Sequence, residues 1–174
     1  MKISRKPEMK ISSIIKLADF FTIANFSFGM LSIFFSMRGE FTAAAVMLLC
    51  AVAMDFLDGR IARATGTTNE FGKQLDSLSD LLSFGVAPAV FGYGLGLKSP
   101  IAIIVLIYFA VCGMLRLARF NISKEKGFIG VPITVNGLLF PVIYFIIGGF
   151  NNYILFFYII MALLMISTIK IKKL

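Results

Sequence analysis

The chain has 174 residues, 59% of them hydrophobic, a mean hydropathy of +0.91 and a formal net charge of +8; soluble globular domains are only about 45–50% apolar, so this is the composition of an integral membrane protein. It contains no His and no Trp. The lack of His excludes imidazole metal ligands, a His general base and a Ser-His-Asp triad, leaving any catalysis to carboxylates, Arg, Lys or bound metal.

Residues 2–19 carry five Lys and Arg, with Ile11, Ile14, Ile15 and Ala18 at helical spacing. That pattern predicts an amphipathic helix lying on an anionic membrane face. No small-residue cleavage site follows a short apolar core, so no cleavable signal peptide is expected. Six apolar segments come next, at about 20–37, 41–62, 71–97, 100–120, 131–149 and 153–169. Each approaches the ~20 residues that cross a bilayer. The predicted fold is therefore an all-α integral membrane protein, one domain over 1–174: an interfacial helix (1–19), a bundle of six transmembrane helices (20–169) and a basic tail (170–174). Cys50 and Cys112 fall within apolar segments and read as small hydrophobes.

Charge placement sets the orientation. Fifteen of the 17 Lys and Arg fall on one side of this topology, in the N-terminal segment, around Arg60, Arg63 and Lys73, around Arg116, Arg119, Lys124 and Lys126, and at the C-terminus. Arg38 and Lys98 alone fall on the other. The positive-inside rule then makes both termini cytoplasmic. The net positive charge is accounted for by the membrane surface, with no nucleic acid as partner.

The stretch DFLDGRIARATGTTNEFGKQLDSLSD, residues 55–80, holds Asp55, Asp58, Asp76 and Asp80, although the whole chain has nine acidic residues. On helices, Asp55, Asp58, Gly59 and Ala62 share a face at i, i+3, i+4 and i+7, and Gly72, Asp76, Asp80 and Ser83 share another. Both faces are acidic and small. The predicted topology puts all four acids in the cytoplasmic half of the membrane, at the facing ends of spans two and three. Like charges at one depth beside hydrocarbon call for a cation between them, and a divalent metal supplies it economically. Hard oxygen donors suit Mg2+ or Mn2+. An ordinary structural account would instead pair Asp55 and Asp58 with Arg60 or Arg63, and Asp76 with Lys73.

The spaced pattern Asp55, Asp58, Gly59, Ala62, Arg63, Gly72, Asp76, Asp80 resembles the signature of the CDP-alcohol phosphotransferases, membrane enzymes of phospholipid synthesis. The strings SFGVAPA (83–89), RLARFN (116–121) and GVPIT (130–134) resemble its phosphatidylserine synthase branch. The resemblance implies two divalent cations, Mg2+ or Mn2+, one shared by Asp55, Asp58 and Asp76, the other touching Asp76 and Asp80. It implies that Asp80 is also the general base. Gly59, Ala62 and Gly72 would allow close approach of the nucleotide, Arg63 would contact the CDP diphosphate, and Asn25 would help bind cytidine. At Asn69 relatives often carry Thr or Ser, so Thr68 is a second candidate for that nucleotide contact. A homodimer is also implied.

Phosphoryl-type transfer needs neutralised oxygens, an aligned nucleophile and a stabilised leaving group. A serine hydroxyl needs a carboxylate to take its proton; Asp80 would serve either as a buried acid or as a metal-held carboxylate. Arg116 and Arg119 have two readings, as binders of a lipid-linked phosphate or an amino-acid carboxylate and as positive-inside anchors, with the functional reading favoured for Arg119. The leading expectation is transfer from a CDP-activated lipid to L-serine with release of CMP. The same chemistry with glycerol 3-phosphate or inositol phosphate is the near alternative, and a divalent-cation transporter is the alternative of another class. Against transport, spans one, four, five and six lack carboxylates that would continue an ion path.

Overall fold

The computed structural model describes residues 16–66, 70–122, 128–149, 153–168 and 170–171. The chain begins with α1 (Leu17–Met37), turns through Arg38–Glu40 and returns as α2 (Phe41–Thr65). At about 37 Å, α2 is longer than the ~30 Å hydrocarbon layer. It ends at Gly66, whose left-handed φ of 61° lets its backbone N–H donate a hydrogen bond back to the Ala62 carbonyl. The third rod is continuous but changes type. It is α-helical over α3 (Glu70–Asp80), π-helical over Leu81–Val86, and α-helical again over α4 (Ala87–Gly94). Then follow α5 (Pro100–Ile122), β1 (Phe128–Ile129), α6 (Thr134–Ile147), α7 (Ile154–Ile166) and β2 (Lys170–Ile171).

Among the described residues the fold is helical apart from β1 and β2, a two-residue antiparallel pair with Phe128 opposite Ile171. Three helices among the described residues, covering 18–37, 41–64 and 100–122, are long and apolar enough to cross a membrane. The apolar α6 and α7 are shorter, about 20 Å each. Several boundaries differ from expectation: α2 runs on to Thr65, α6 spans only Thr134–Ile147 and α7 ends at Ile166. The first helix starts at Leu17, so Ala18 and Asp19 belong to it and not to an interfacial helix; the Asp19 carboxylate accepts the Lys16 backbone N–H at 2.8 Å and caps the start. The third rod ends at Gly94, where Leu95 leaves helical geometry. Most of the expected interfacial helix, residues 1–15, lies outside the described residues.

Polarity is arranged inside out. Asn25, Ser32, Ser83 and Asn136 are buried, whereas Phe20, Ile104 and Ile146 are more than 60% exposed, which suits a bundle whose outer solvent is lipid. The apolar interior centres on an aromatic group from three helices: Tyr158 stacks on Phe140 at 4.0 Å and meets Phe109 edge-on at 5.1 Å. Helices approach closely where glycines face bulky partners. A Cβ at Gly137 would collide with the Phe84 ring and come within 2.7 Å of Val52. Gly137→Val should therefore overpack the junction of α2, α6 and the π-helical segment, at a cost of about 1–3 kcal/mol. Thermal unfolding of detergent-purified protein checks this; a midpoint equal to wild type would contradict it.

Candidate metal and anion site

The site lies where α1, α2, α3, α5 and the start of α6 meet. Asp55, Asp76 and Asp80 each offer a carboxylate oxygen, and these oxygens all lie within 4.8 Å of one another. Asp80 is buried at 7% exposure, and the other two are half-buried. Asp55 and Asp80 are within hydrogen-bond reach of each other, and Thr134 at the head of α6 reaches Asp55. If all three were ionised, repulsion at this separation would cost about 3 kcal/mol per pair at an effective dielectric near 20. Three pairs would then approach a domain's whole folding free energy of about 5–15 kcal/mol. Protons or cations must lie between these groups, and an all-carboxylate donor set fits a hard divalent cation.

Asp58 stands one turn beyond Asp55 and faces α1, where Thr22 Oγ1 donates to its Oδ2 at 2.9 Å. It is outside the three-carboxylate group, although its charge acts together with those of Asp76 and Asp55. Asn25, fully buried one turn along α1 from Thr22, donates from Nδ2 to Asp80 Oδ1 at 3.2 Å. Its Oδ1 has no partner among the described residues. Ser79 and Ser83 donate to the backbone carbonyls of Thr22 and Asn25, both at 3.0 Å. These bonds fix the third rod against α1. Ser83 fits because Gly29 has no Cβ; one there would strike the Ser83 hydroxyl.

No ion pair joins Asp55, Asp58 or Asp76 to Arg60, Arg63 or Lys73 among the described residues. Lys73 instead donates to the Asn121 carbonyl at 2.9 Å, and Asn121 and Ser77 exchange side-chain hydrogen bonds. Arg63 is exposed, with its guanidinium 3.8 Å from where a Gly59 Cβ would stand, so the glycine leaves room beneath the cation. Gly72 is half-buried in the first turns of α3. Thr68 and Asn69 lie outside the described residues, as do Lys124 and Lys126.

The two arginines of α5 separate. Arg116 is buried at 6% exposure, its charge acts on Asp80, Asp55 and Asp76, and its Nε has no hydrogen-bond partner among the described residues. The Phe120 ring lies 5.5 Å from the Arg116 guanidinium and 5.8 Å from the Lys73 ammonium. Arg119 turns to α7, donating to the carbonyls of Met165, Ile166 and Ser167 at 3.0–3.2 Å. A cation over the last carbonyls of a helix answers both their unmet hydrogen bonds and the negative end of the dipole. The sequence reading missed Thr22, Ser79 and Thr134. A signal for Thr22 was present: Asp19, Thr22 and Asn25 repeat every three residues, a polar stripe on an apolar span.

Residues 15–170 match the family model described as CDP-alcohol phosphatidyltransferase. A CDP-diacylglycerol–serine O-phosphatidyltransferase of Methanocaldococcus jannaschii is 41% identical over 169 residues, covering 94% of this chain and 77% of that protein. An archaetidylserine synthase of Methanothermobacter thermautotrophicus is 40% identical over 173 residues, covering 95% and 73%. A CDP-diacylglycerol–serine O-phosphatidyltransferase of Helicobacter pylori is 34% identical over 178 residues, covering 93% and 74%.

Removing a group that orients a metal ligand costs about 10–100-fold in metal affinity. Thr22→Val, which keeps the side-chain shape but frees the Asp58 carboxylate, should weaken Mn2+ binding by about tenfold, and Asp76→Asn by more. Paramagnetic resonance of Mn2+ titrated into the purified protein reads both. Wild-type affinity in both variants would contradict the site.

Proposed function

This chain belongs to the CDP-alcohol phosphatidyltransferase family, and from that premise we propose that it moves the phosphatidyl-type group of a CDP-activated lipid onto the hydroxyl of L-serine and releases CMP. The observation that carries this reading is the convergence of Asp55, Asp76 and Asp80 beside the buried Arg116, in a chain at least 40% identical to the two archaeal relatives named for serine lipids.

Asp55, Asp76 and Asp80, with Asp58 beside them, would hold two divalent cations, Mg2+ or Mn2+. When bound, these cations neutralise the diphosphate oxygens and hold the charge that develops on departing CMP. Asp80 takes the proton of the serine hydroxyl as the new oxygen–phosphorus bond forms and the bond to CMP breaks. Asn25 orients the Asp80 carboxylate through Nδ2, leaving its own Oδ1 for the nucleotide. Arg63, above the space left by Gly59, meets the CDP diphosphate; Gly72 allows the nucleotide a close approach. Arg116, whose Nε has no partner among the described residues, binds an anion, the serine carboxylate or the lipid-linked phosphate. Arg119 is committed to α7, so it supports this pocket by holding the helix end.

Six crossings, both termini and the catalytic centre on the cytoplasmic side, and a homodimer complete the reading. The crossings rest on the six apolar segments of the sequence, the orientation on where its basic residues fall between them, and the dimer on the family resemblance. Purified protein supplied with Mg2+ or Mn2+, radiolabelled serine and CDP-diacylglycerol or its ether-linked isoprenoid counterpart should yield labelled lipid and CMP. Asp80→Asn should lower turnover on the order of 100- to 10,000-fold with folding retained. No metal-dependent product from serine with control enzymes active, or a preference for glycerol 3-phosphate or inositol phosphate, would overturn the assignment.

A further inference from the structure

The third rod changes from α to π immediately after Asp80, and Ala87 N–H bonds five residues back to the Leu82 carbonyl. A π turn holds more residues than an α turn, so it resets the helix face that follows relative to the face carrying Asp76 and Asp80. Pro88, at the exit, gives a local reason for the irregularity. It has no N–H for the carbonyl four residues before it, that of Phe84, and in a regular α-helix its ring would clash with that group.

The Phe84 carbonyl has a partner from another span. Asn136, fully buried on α6, donates from Nδ2 to Phe84 O at 3.2 Å and to Met165 Sδ at 3.4 Å. Its Oδ1 is buried with no partner among the described residues. The side chain thus acts here as a donor alone and bears the cost of an unmet acceptor, which a leucine would avoid. Two further bonds brace the same stretch: Tyr158 of α7 donates to Pro88 O at 2.7 Å, and Ser83 donates to Asn25 O at 3.0 Å. Asn25 in turn holds Asp80.

We propose that Asn136 is a positioning residue for Asp80: its amide serves the Phe84 carbonyl that Pro88 cannot, holds the π turn that follows Asp80, and so aims that carboxylate at Asp55 and Asp76. The role rests on the transferase reading for its meaning, but its mechanical part is testable without lipid or serine. Asn136→Leu in the full-length protein removes the donor, and Pro88→Ala returns an N–H to the helix. Asn136→Leu should weaken Mn2+ binding and lower kcat by about tenfold, with KM for serine changed by less than about threefold. Its loss of thermal stability should shrink markedly in the Pro88→Ala background, because the carbonyl then has a backbone donor again. If Asn136→Leu alone fails to fold, Asn136→Ser and the double variant carry the same measurements. Additive effects of the two substitutions on the unfolding midpoint, or wild-type Mn2+ affinity and kcat in the folded Asn136 variant, would overturn the inference. A wild-type protein that makes no lipid from serine would overturn the transferase reading instead, and the Mn2+ and unfolding measurements would still decide this one.

Discussion

The structure depends on like charge held together where water is scarce. Three carboxylates from two helices converge within 4.8 Å inside a bundle whose surface is largely apolar, and their mutual repulsion is comparable to everything that stabilises a domain. Such an arrangement is stable only with protons or cations in it. The surrounding residues restrain direction more than they neutralise charge: Thr22 and Asn25 each donate one hydrogen bond, and Arg116 is the cation within electrostatic reach. A fold designed for stability alone would have paired each acid with an arginine or replaced it with a leucine.

Rigid placement of these groups comes from polar contacts between the helices that carry them and their neighbours. α1 is fixed to the third rod by Ser79 and Ser83, with Gly29 permitting the approach. α5 is fixed to α3 by Lys73, Ser77 and Asn121. Arg119 secures the end of α7, where Val131 N–H also bonds the Leu164 carbonyl, and so seats the segment that leads to Thr134. Each tie is a polar bond in an environment where unpaired backbone is expensive, so each constrains geometry more firmly than apolar contact between helix and lipid would.

Much of this was legible in the sequence. Apolar length marked the helices, and the spacing of Asp55, Asp76 and Asp80 put acids on facing helices at one depth, because the period of a helix is known in advance. What periodicity does not contain is the rotation of one helix against another. Asp55 and Asp58 are three residues apart and looked equivalent, yet one turns to α3 and the other to Thr22 on α1. Arg116 and Arg119 looked like a pair, with Arg119 the stronger candidate for function; their angular separation sends Arg119 to α7 carbonyls and leaves Arg116 beside the acids. The π-helical segment was equally hidden. Pro88 signals a disturbed helix, but the donor that repairs it lies 48 positions further on and is known only once α6 is packed.

The central claim is that the acids of α2 and α3 form a seat for divalent cations. Crystals grown with Mn2+ and measured at an energy where manganese scatters anomalously test it most directly. The account predicts anomalous peaks bounded by Asp55, Asp76 and Asp80, with Asp58 at the margin. A map with ordered side chains at these four positions, and no peak between them at saturating Mn2+, would contradict it.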